Sequence, residues 1–300
     1  MKRLDYLDAL RGMAALLVVL QHVLERTSPD TWLVQHCNIG ILGVLLFFMI
    51  SGFIVPSSIK GDRPVQRFII SRAARLLPAL WVSVAIMVML DGGTLPQIAA
   101  NMLMLAGPLG YQPFSGIYWT LTYELGFYVL CVVLYLAGAL QNPRIVGSLL
   151  LCCVALTLAT VQNILFPAYM LLGLLLRLDL VLGDSRARAW TMPCAALLVV
   201  LGATYGWLVR SGNPVSDGWP RMVAMVLAVP LFWAIIRWRP APARFLVFLG
   251  TISYSVYLFH DPVFRLVEAL RPAHDGIFAL LVLPGSIAAG ALAYRLVELP

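Results

Sequence analysis

Apolar residues run through this chain in repeated stretches of about 16–25 residues, with short polar segments between them. About 20 helical residues cross the hydrocarbon core of a bilayer, so such stretches predict membrane-spanning helices. The pattern predicts ten spans, at residues 7–25, 39–56, 76–90, 117–139, 145–161, 164–182, 190–209, 221–236, 245–268 and 276–297. The shorter stretch 95–106 (LPQIAANMLMLA) is predicted to be an interfacial or re-entrant segment. The predicted fold is therefore all-α and polytopic, with residues 1–300 forming one integral membrane domain.

Composition and charge agree with a membrane protein and not with a nucleic-acid binder. Of the 300 residues, 61% are hydrophobic and 12% are charged, a balance outside the soluble class. The net charge of +7 comes from basic residues on one side of the predicted membrane, since the outer ends and loops hold only Arg26, Arg210, Arg221 and Arg271. This positive-inside asymmetry predicts a multi-pass protein of the plasma membrane, the inner membrane of a bacterium, with both termini cytoplasmic. The five cysteines show no metal-ligand spacing, and we expect no metal.

The first apolar stretch, LDALRGMAALLVVLQHVL, carries two ionisable residues, Arg11 and His22. Eleven residues correspond to about three helical turns plus 20°, so both side chains lie on one stripe, roughly 16 Å apart along the axis. Ionisable groups inside a spanning helix are costly and by default indicate a functional site. We therefore expect this stripe to face protein or water.

Two further ionisable residues are predicted at the same depth as His22. Helix topology places Glu124, from GIYWTLTYELGFYVL, and His260, from TISYSVYLFHDP, in the outer half of the membrane. Three ionisable residues from three helices predict a polar chamber there, and Glu124 is the hardest of them to explain as a packing residue.

The other candidate residues of this chamber are Ser51, Trp119, Tyr257 and His260. Each also has a structural interpretation. A histidine in a bundle can be a satisfied core residue, Ser51 and Gly52 can serve close helix packing, and Trp119 can belong to an interfacial aromatic belt.

The segment KGDRPVQRFIISRAARLLPAL, between the second and third spans, is rich in arginine. If this cytoplasmic segment is helical, Arg72 and Arg75 are near neighbours on one face. Guanidinium groups bind phosphate oxygens in a bidentate manner, so the pair predicts a site for a phosphate-rich cytosolic cofactor at the inner mouth of the chamber. The alternative is anchoring to anionic lipid head groups. No glycine-rich phosphate loop is present, which argues against an ATP-driven transporter.

Five motifs along the chain resemble the acyltransferase 3 family of membrane-bound acyltransferases. LDALRGMAALLVVLQH is similar to its Arg-x10-His first helix, and FFMISGFIV to its serine-glycine motif in the second helix. Arg72-x-x-Arg75 followed by LLPA resembles its cytoplasmic basic segment, and LGTISYSVYLFHDPV its late Ser-Tyr and Tyr-Leu-x-His motif. YWTLTYELGFY matches its aromatic and acidic pattern at Trp119, Glu124, Phe127 and Tyr128. The resemblance runs from about residue 4 to 299.

The resemblance implies ten spanning helices, cytosolic acetyl-CoA or another acyl-CoA as donor, and O-acylation of an extracytoplasmic hydroxyl. The acceptor implied is a carbohydrate, usually a surface glycan or its lipid-linked precursor, and the other partners are membrane lipids. His22 becomes the catalytic histidine, whereas Arg11, Arg72 and Arg75 become candidates for binding the CoA. Two departures from the family pattern are Thr122, where serine is common, and the ending Glu298-Leu-Pro300 in place of Glu-Lys-Pro.

A hydroxyl is a weak nucleophile, and histidine is the side chain best suited to deprotonate it near neutral pH. The hypothesis is that His22 activates the acceptor hydroxyl for attack on the thioester, with Glu124 as a partner that supports its basicity. An acyl-enzyme intermediate is the alternative mechanism. A proton-coupled transporter or a lipid or glycan flippase is the alternative function, although the sequence shows no inverted repeat. A plain membrane scaffold leaves Glu124 and the Arg11–His22 stripe unexplained.

Overall fold

A computed structural model describes residues 4–160, 165–208, 219–270 and 274–298, and all regular secondary structure in these ranges is helical. The helices are α1 Asp5–Thr27, α2 Trp32–His36, α3 Ile39–Ile54, α4 Pro64–Asp91, α5 Leu95–Met102, α6 Trp119–Leu136, α7 Pro143–Thr160, α8 Phe166–Leu180, α9 Ser185–Leu208, α10 Trp219–Trp238, α11 Arg244–Thr251, α12 Ser253–Ala269 and α13 Asp275–Ala293. A 3₁₀ turn, Val55–Ser58, follows α3, and a π-helical turn, Tyr294–Glu298, follows α13.

Seven helical segments within the described ranges are long and apolar enough to cross a membrane: Asp5–Thr27, Ile39–Ser58, Pro64–Asp91, Trp119–Leu136, Ser185–Thr204, Pro220–Trp238 and Asp275–Glu298. They confirm an all-α polytopic membrane protein. The count of ten spans is not confirmed, because the apolar segment Pro143–Ala159 is shorter and α8 has 15 residues. Residues 161, 164 and 209, at the ends of three predicted spans, lie outside the described residues.

Two predicted boundaries differ from the structure. The span predicted at 245–268 is divided at Ile252, where α11 ends and α12 begins, because the β-branched pair Thr251–Ile252 and the following serine favour non-helical backbone. The span predicted at 76–90 is part of a longer helix. Pro64 starts α4, a position where its missing N–H costs nothing, so the arginine-rich segment is helical and continuous with the span.

The chain divides into two compact units, each described here by itself. The first unit contains Met1–Ile59 and Phe127–Gly250, and the second contains Lys60–Gly126 and Thr251–Pro300. In the first unit, α3 packs between α1 and α8, and α8 also contacts α7 and α9. Glycine permits the closest approach, because an added Cβ at Gly52 would collide with the Met170 carbonyl oxygen of α8, and one at Gly173 with that of Met49.

In the second unit, α12 packs against α13 and α4. The buried hydroxyl of Tyr254 donates to the Leu76 carbonyl at 2.8 Å, and Ser83 Oγ donates to the Leu258 carbonyl at 3.3 Å. On the short helix α5, the Met102 carbonyl accepts a hydrogen bond of 3.2 Å from the Trp81 indole of α4. Arg265 of α12 also forms an ion pair with Asp91 at the end of α4. The length of α5, eight residues, agrees with the prediction that this part of the chain is too short to span.

Candidate functional site

His22 lies in the last two turns of α1, and its side chain is half exposed. Its Nδ1 lies 3.3 Å from Oε2 of Glu25, and both side chains are 43% exposed. The two residues are three positions apart on one helix, a spacing that places their side chains side by side. A carboxylate on Nδ1 fixes the orientation of the imidazole and directs Nε2 to the opposite side of the ring, as in catalytic carboxylate–histidine pairs.

The carboxylate of Glu25 is itself held by Gln21, which is buried in the first unit. Gln21 Nε2 donates to Glu25 Oε1 at 2.8 Å, and Gln21 Oε1 accepts the backbone N–H of Ile39 at 3.0 Å. An anchored chain of contacts therefore runs from the first residue of α3 through Gln21 and Glu25 to His22. Gln21 and Glu25 were not among the predicted site residues, although the spacing in QHVLE was a usable signal.

Arg11 and Ser51 are the other candidates in the first unit. Because α1 is continuous from Asp5 to Thr27, Arg11 and His22 share one stripe of the helix, as predicted. Arg11 is half-buried, and it precedes Gly12, where an added Cβ would collide with the Leu246 carbonyl oxygen of α11. Ser51 is half-buried too. The packing of its neighbour Gly52 against α8 supports the structural interpretation of that glycine.

Trp119 and Glu124 lie on the first turns of α6, in the second unit. The Trp119 ring meets the Tyr123 ring edge-on, with centroids 5.8 Å apart, and Trp119 lines a cavity of about 330 Å³. Glu124 is half-buried and lies within electrostatic range of Tyr257 on α12. The structure thus brings Glu124 near Tyr257, another residue predicted to line the chamber.

Tyr257 and His260 are buried one turn apart on α12. The Tyr257 hydroxyl lies 2.8 Å from Oγ1 of Thr120. His260 is 1% exposed, and its Nδ1 donates to the Tyr257 carbonyl at 2.6 Å. The Tyr257 hydroxyl therefore joins α12 to α6, whereas the hydrogen bond of His260 lies within α12.

Arg72 and Arg75 lie on one face of α4, which confirms the helical condition on which their predicted pairing depended. Both are half-buried, whereas Arg67 on the same helix is exposed. The Arg72 guanidinium carbon lies 5.8 Å from the centroid of the Phe68 ring, a contact that orients the group. Over the described ranges, no three His, Cys, Asp or Glu side chains are grouped to hold a metal ion.

Comparison with known proteins gives one family and several relatives. The model of the acyltransferase 3 family, described as an acyltransferase domain, matches residues 4–295. Exopolysaccharide production protein ExoZ of Rhizobium meliloti (strain 1021) is 28% identical over 94% of this chain and 94% of its own. BcsY of Komagataeibacter xylinus, named as a membrane-bound transacylase, is 29% identical over 85% of this chain and 72% of its own. YrhL of Bacillus subtilis (strain 168), named as a peptidoglycan O-acetyltransferase, is 24% identical over 98% of this chain and 54% of its own. No solved structure matches the chain.

Proposed function

The chain belongs to the acyltransferase 3 family, and on that premise we propose that it transfers an acyl group from cytosolic acyl-CoA to a carbohydrate hydroxyl. The family match confirms both the predicted resemblance and the predicted class of enzyme, a membrane acyltransferase. The names of ExoZ and YrhL, an exopolysaccharide protein and a peptidoglycan O-acetyltransferase, support a glycan acceptor, either extracytoplasmic or lipid-linked. Acetyl is the leading candidate for the group transferred. The proposed location is the inner membrane, with both termini cytoplasmic and residues 1–300 acting as one domain.

The observation that carries this proposal is the contact between His22 and Glu25. A general base for a hydroxyl must reach its substrate and must be held in one orientation. His22 meets both requirements, because it is 43% exposed and Glu25 lies 3.3 Å from its Nδ1. The carboxylate stabilises the imidazolium that forms during the reaction.

The proposed reaction balances without any further reactant. His22 Nε2 removes the proton from the acceptor hydroxyl while the hydroxyl oxygen attacks the thioester carbonyl carbon. The new C–O bond forms, the C–S bond of acyl-CoA breaks, and the proton leaves the imidazolium for the CoA thiolate. Glu124 is the second catalytic candidate, and its predicted support of His22 stays a prediction.

The donor is proposed to bind through its phosphates at Arg72 and Arg75. Two guanidinium groups on one helical face present several N–H donors to phosphate oxygens, and the Phe68 ring orients the first of them. Arg11, at the inner end of the α1 stripe, is the third candidate for this role. That Ser51, Trp119, Tyr257 and His260 line a common chamber stays a prediction from the sequence, and the burial of Tyr257 and His260 favours the structural interpretation of those two residues.

Acetyl-CoA binding to purified protein tests the proposal most directly. The variants are Arg72→Ala/Arg75→Ala, His22→Ala and the control Arg63→Ala/Arg67→Ala, which removes the same charge from exposed arginines at the start of the same segment. We expect saturable binding that is weakened about 10- to 100-fold in the first variant and unchanged in the other two.

Equal loss of acetyl-CoA affinity in both double variants would mean that the arginines attract anions in general and do not form a specific binding site. If no acyl-CoA binds the unaltered protein, the proposed donor and the mechanism built on it fail.

A further inference from the structure

The second unit contains a cavity of about 330 Å³ between α5, the loop 103–118 and the first turns of α6. Three aromatic side chains line it, those of Tyr118, Trp119 and Tyr123, and they share the wall with Asn101 and Thr122. Trp119 and Tyr123 meet at an interplanar angle of 86°, so one ring of the pair presents its face where the other presents its edge. We refer to this space as the aromatic cavity.

Buried hydrogen bonds fix the wall of the aromatic cavity. Asn101 is 1% exposed, and its Nδ2 donates to the carbonyl oxygens of Gln97 at 2.9 Å and Gln112 at 3.3 Å. Its Oδ1 accepts the backbone N–H of Phe114 at 3.0 Å. One buried amide therefore joins α5 to both sides of the turn at residues 112–114. A wall held in this way is preformed, a property typical of ligand sites.

Three more hydrogen bonds hold the loop, one from α6 and two from α12. The Thr122 hydroxyl donates to the Met104 carbonyl at 2.7 Å. Arg265 on α12 donates from Nη2 to the Phe114 carbonyl at 3.1 Å, and the Ser115 hydroxyl donates to the Asp261 carboxylate. The loop is therefore anchored near its start and near its end, although its tip at Gly107 and Pro108 is exposed.

The chemistry of the cavity suits a sugar ring. The C–H face of a pyranose packs on aromatic faces, while its hydroxyls need polar partners at the rim, which the exposed loop backbone at Gly107 and Pro108 supplies. The volume of about 330 Å³ is at the small end of ligand pockets, which suits one ring and not a whole oligosaccharide. The predicted topology places residue 117 at the outer surface, the side on which an extracytoplasmic glycan is present.

We propose that the aromatic cavity binds one sugar ring of the acceptor, with Trp119 as its stacking platform. This inference rests on the proposed function, because it assigns the acceptor of that reaction to a particular cavity. The two can nevertheless be tested separately, since sugar binding and acyl-CoA binding are independent measurements.

The experiment uses the full chain in lipid nanodiscs, free of sugar-based detergent, and saturation-transfer NMR. The probes are methyl β-D-glucopyranoside, methyl β-D-galactopyranoside and N-acetylglucosamine, with acetyl-CoA binding measured on the same samples. Trp119→Ala and Trp119→Phe alter the platform. Gly107→Phe places a large side chain in the cavity, because Gly107 lines it. The backbone can accept this side chain, since an added Cβ at Gly107 meets no atom within 4 Å.

Two variants serve as controls. Trp32→Ala removes a tryptophan that is 68% exposed in the first unit. Gly116→Phe adds the same side chain to the same loop, at a glycine with equally open surroundings that does not line the cavity. We expect at least one sugar to bind, about tenfold weaker binding in Trp119→Ala and Gly107→Phe, an intermediate loss in Trp119→Phe, and no change in the controls.

Failure of all three sugars to bind the unaltered protein overturns the cavity assignment, and so does equal loss in the Gly116→Phe control. Loss of acetyl-CoA binding in Trp119→Phe and Gly107→Phe, with sugar binding retained, would assign the cavity to the donor and also overturn it. If sugar binds as expected but no acyl-CoA binds, the cavity assignment stands and the proposed acyl transfer fails.

Discussion

His22 and His260 are the same residue type in opposite surroundings. The His22 side chain is 43% exposed and is paired with a carboxylate that is equally exposed. His260 is 1% exposed, and its Nδ1 donates to a backbone carbonyl of its own helix. The first can gain a proton, hold it against Glu25 and return it. The second would have to become charged in a buried position, which is costly.

Position within an apolar stretch therefore does not determine the surroundings of an intramembrane histidine. Both residues were predicted in the outer half of the membrane from their positions in apolar stretches. The difference between them comes from tertiary packing, because Glu25 and Gln21 are placed beside His22, whereas Tyr257 and its neighbours enclose His260. Substitutions of these residues test whether the difference in surroundings corresponds to a catalytic role for His22 and a packing role for His260.

Replacing His22 with alanine should give the largest effect on turnover. Loss of a general base typically costs about 10²–10⁴-fold in kcat, and the exposed position predicts little loss of stability. The measurement is transfer of labelled acetyl groups by purified protein, together with acetyl-CoA affinity, which we expect to be retained. His36→Ala, which removes another exposed histidine from the first unit, is the control. Undiminished turnover in His22→Ala would exclude the proposed mechanism.

Replacing His260 with alanine should affect stability and not chemistry. Truncating a fully buried side chain leaves a cavity, and we expect the free energy of unfolding to fall by about 2 kcal/mol. Titration with denaturing detergent measures this change, and His274→Ala, at an exposed position before α13, is the control. Turnover per folded molecule should stay unchanged. A large fall in turnover without loss of stability would make His260 a functional residue and cancel the contrast with His22.

The helices could be predicted from hydrophobicity alone, but not all of their ends. Apolar run length predicted the spans of α1, α3, α6, α9, α10 and α13 closely, since the bilayer fixes the length required. It did not predict the break at Ile252, because the apolar stretch continues on both sides of it and the break depends on the backbone preferences of Thr251, Ile252 and Ser253. Hydrophobicity also placed the start of a span at residue 76, although α4 begins at Pro64. The charged residues before position 76 indicate where the apolar span begins, but they do not end the helix.

The positions of the candidate residues along their helices could be predicted, but the contacts they make could not. The periodicity of α1 placed Arg11 and His22 on one stripe, and the α4 helix placed Arg72 beside Arg75. The predicted partner of His22 was Glu124, whereas within its own unit the carboxylate at its side is Glu25. Glu25 follows the apolar part of α1 and resembled an ordinary helix-end charge. Its connection through Gln21 to Ile39 depends on how α3 packs, which sequence spacing does not contain.

Replacing Glu25 with glutamine sharpens the assignment of His22. The substitution keeps the shape but removes the charge that stabilises the imidazolium, so we expect kcat to fall on the order of tenfold. Acetyl-CoA affinity should be unchanged, and Glu25→Asp should retain more activity than Glu25→Gln because it keeps the charge. Asp30→Asn, at an exposed position beyond α1, controls for the loss of one negative charge. Equal activity of all three variants would mean that the contact is an ordinary surface ion pair, which contributes little.

Replacing Tyr257 with phenylalanine tests whether the residues around His260 serve packing, and its effect on stability should be smaller than that of His260→Ala. The variant loses the 2.8 Å hydrogen bond between the Tyr257 hydroxyl and Thr120 Oγ1, for which we expect about 1 kcal/mol of destabilisation. Thr120→Val removes the other half of the bond, so the double variant should cost less than the two single variants added together. Turnover per folded molecule should match that of the unaltered protein in all three. If kcat falls tenfold in Tyr257→Phe but not in Thr120→Val, the phenol itself acts on the reacting groups. In that case Tyr257 has a catalytic role, and the assignment of His260 on the same helix to packing no longer follows from its burial.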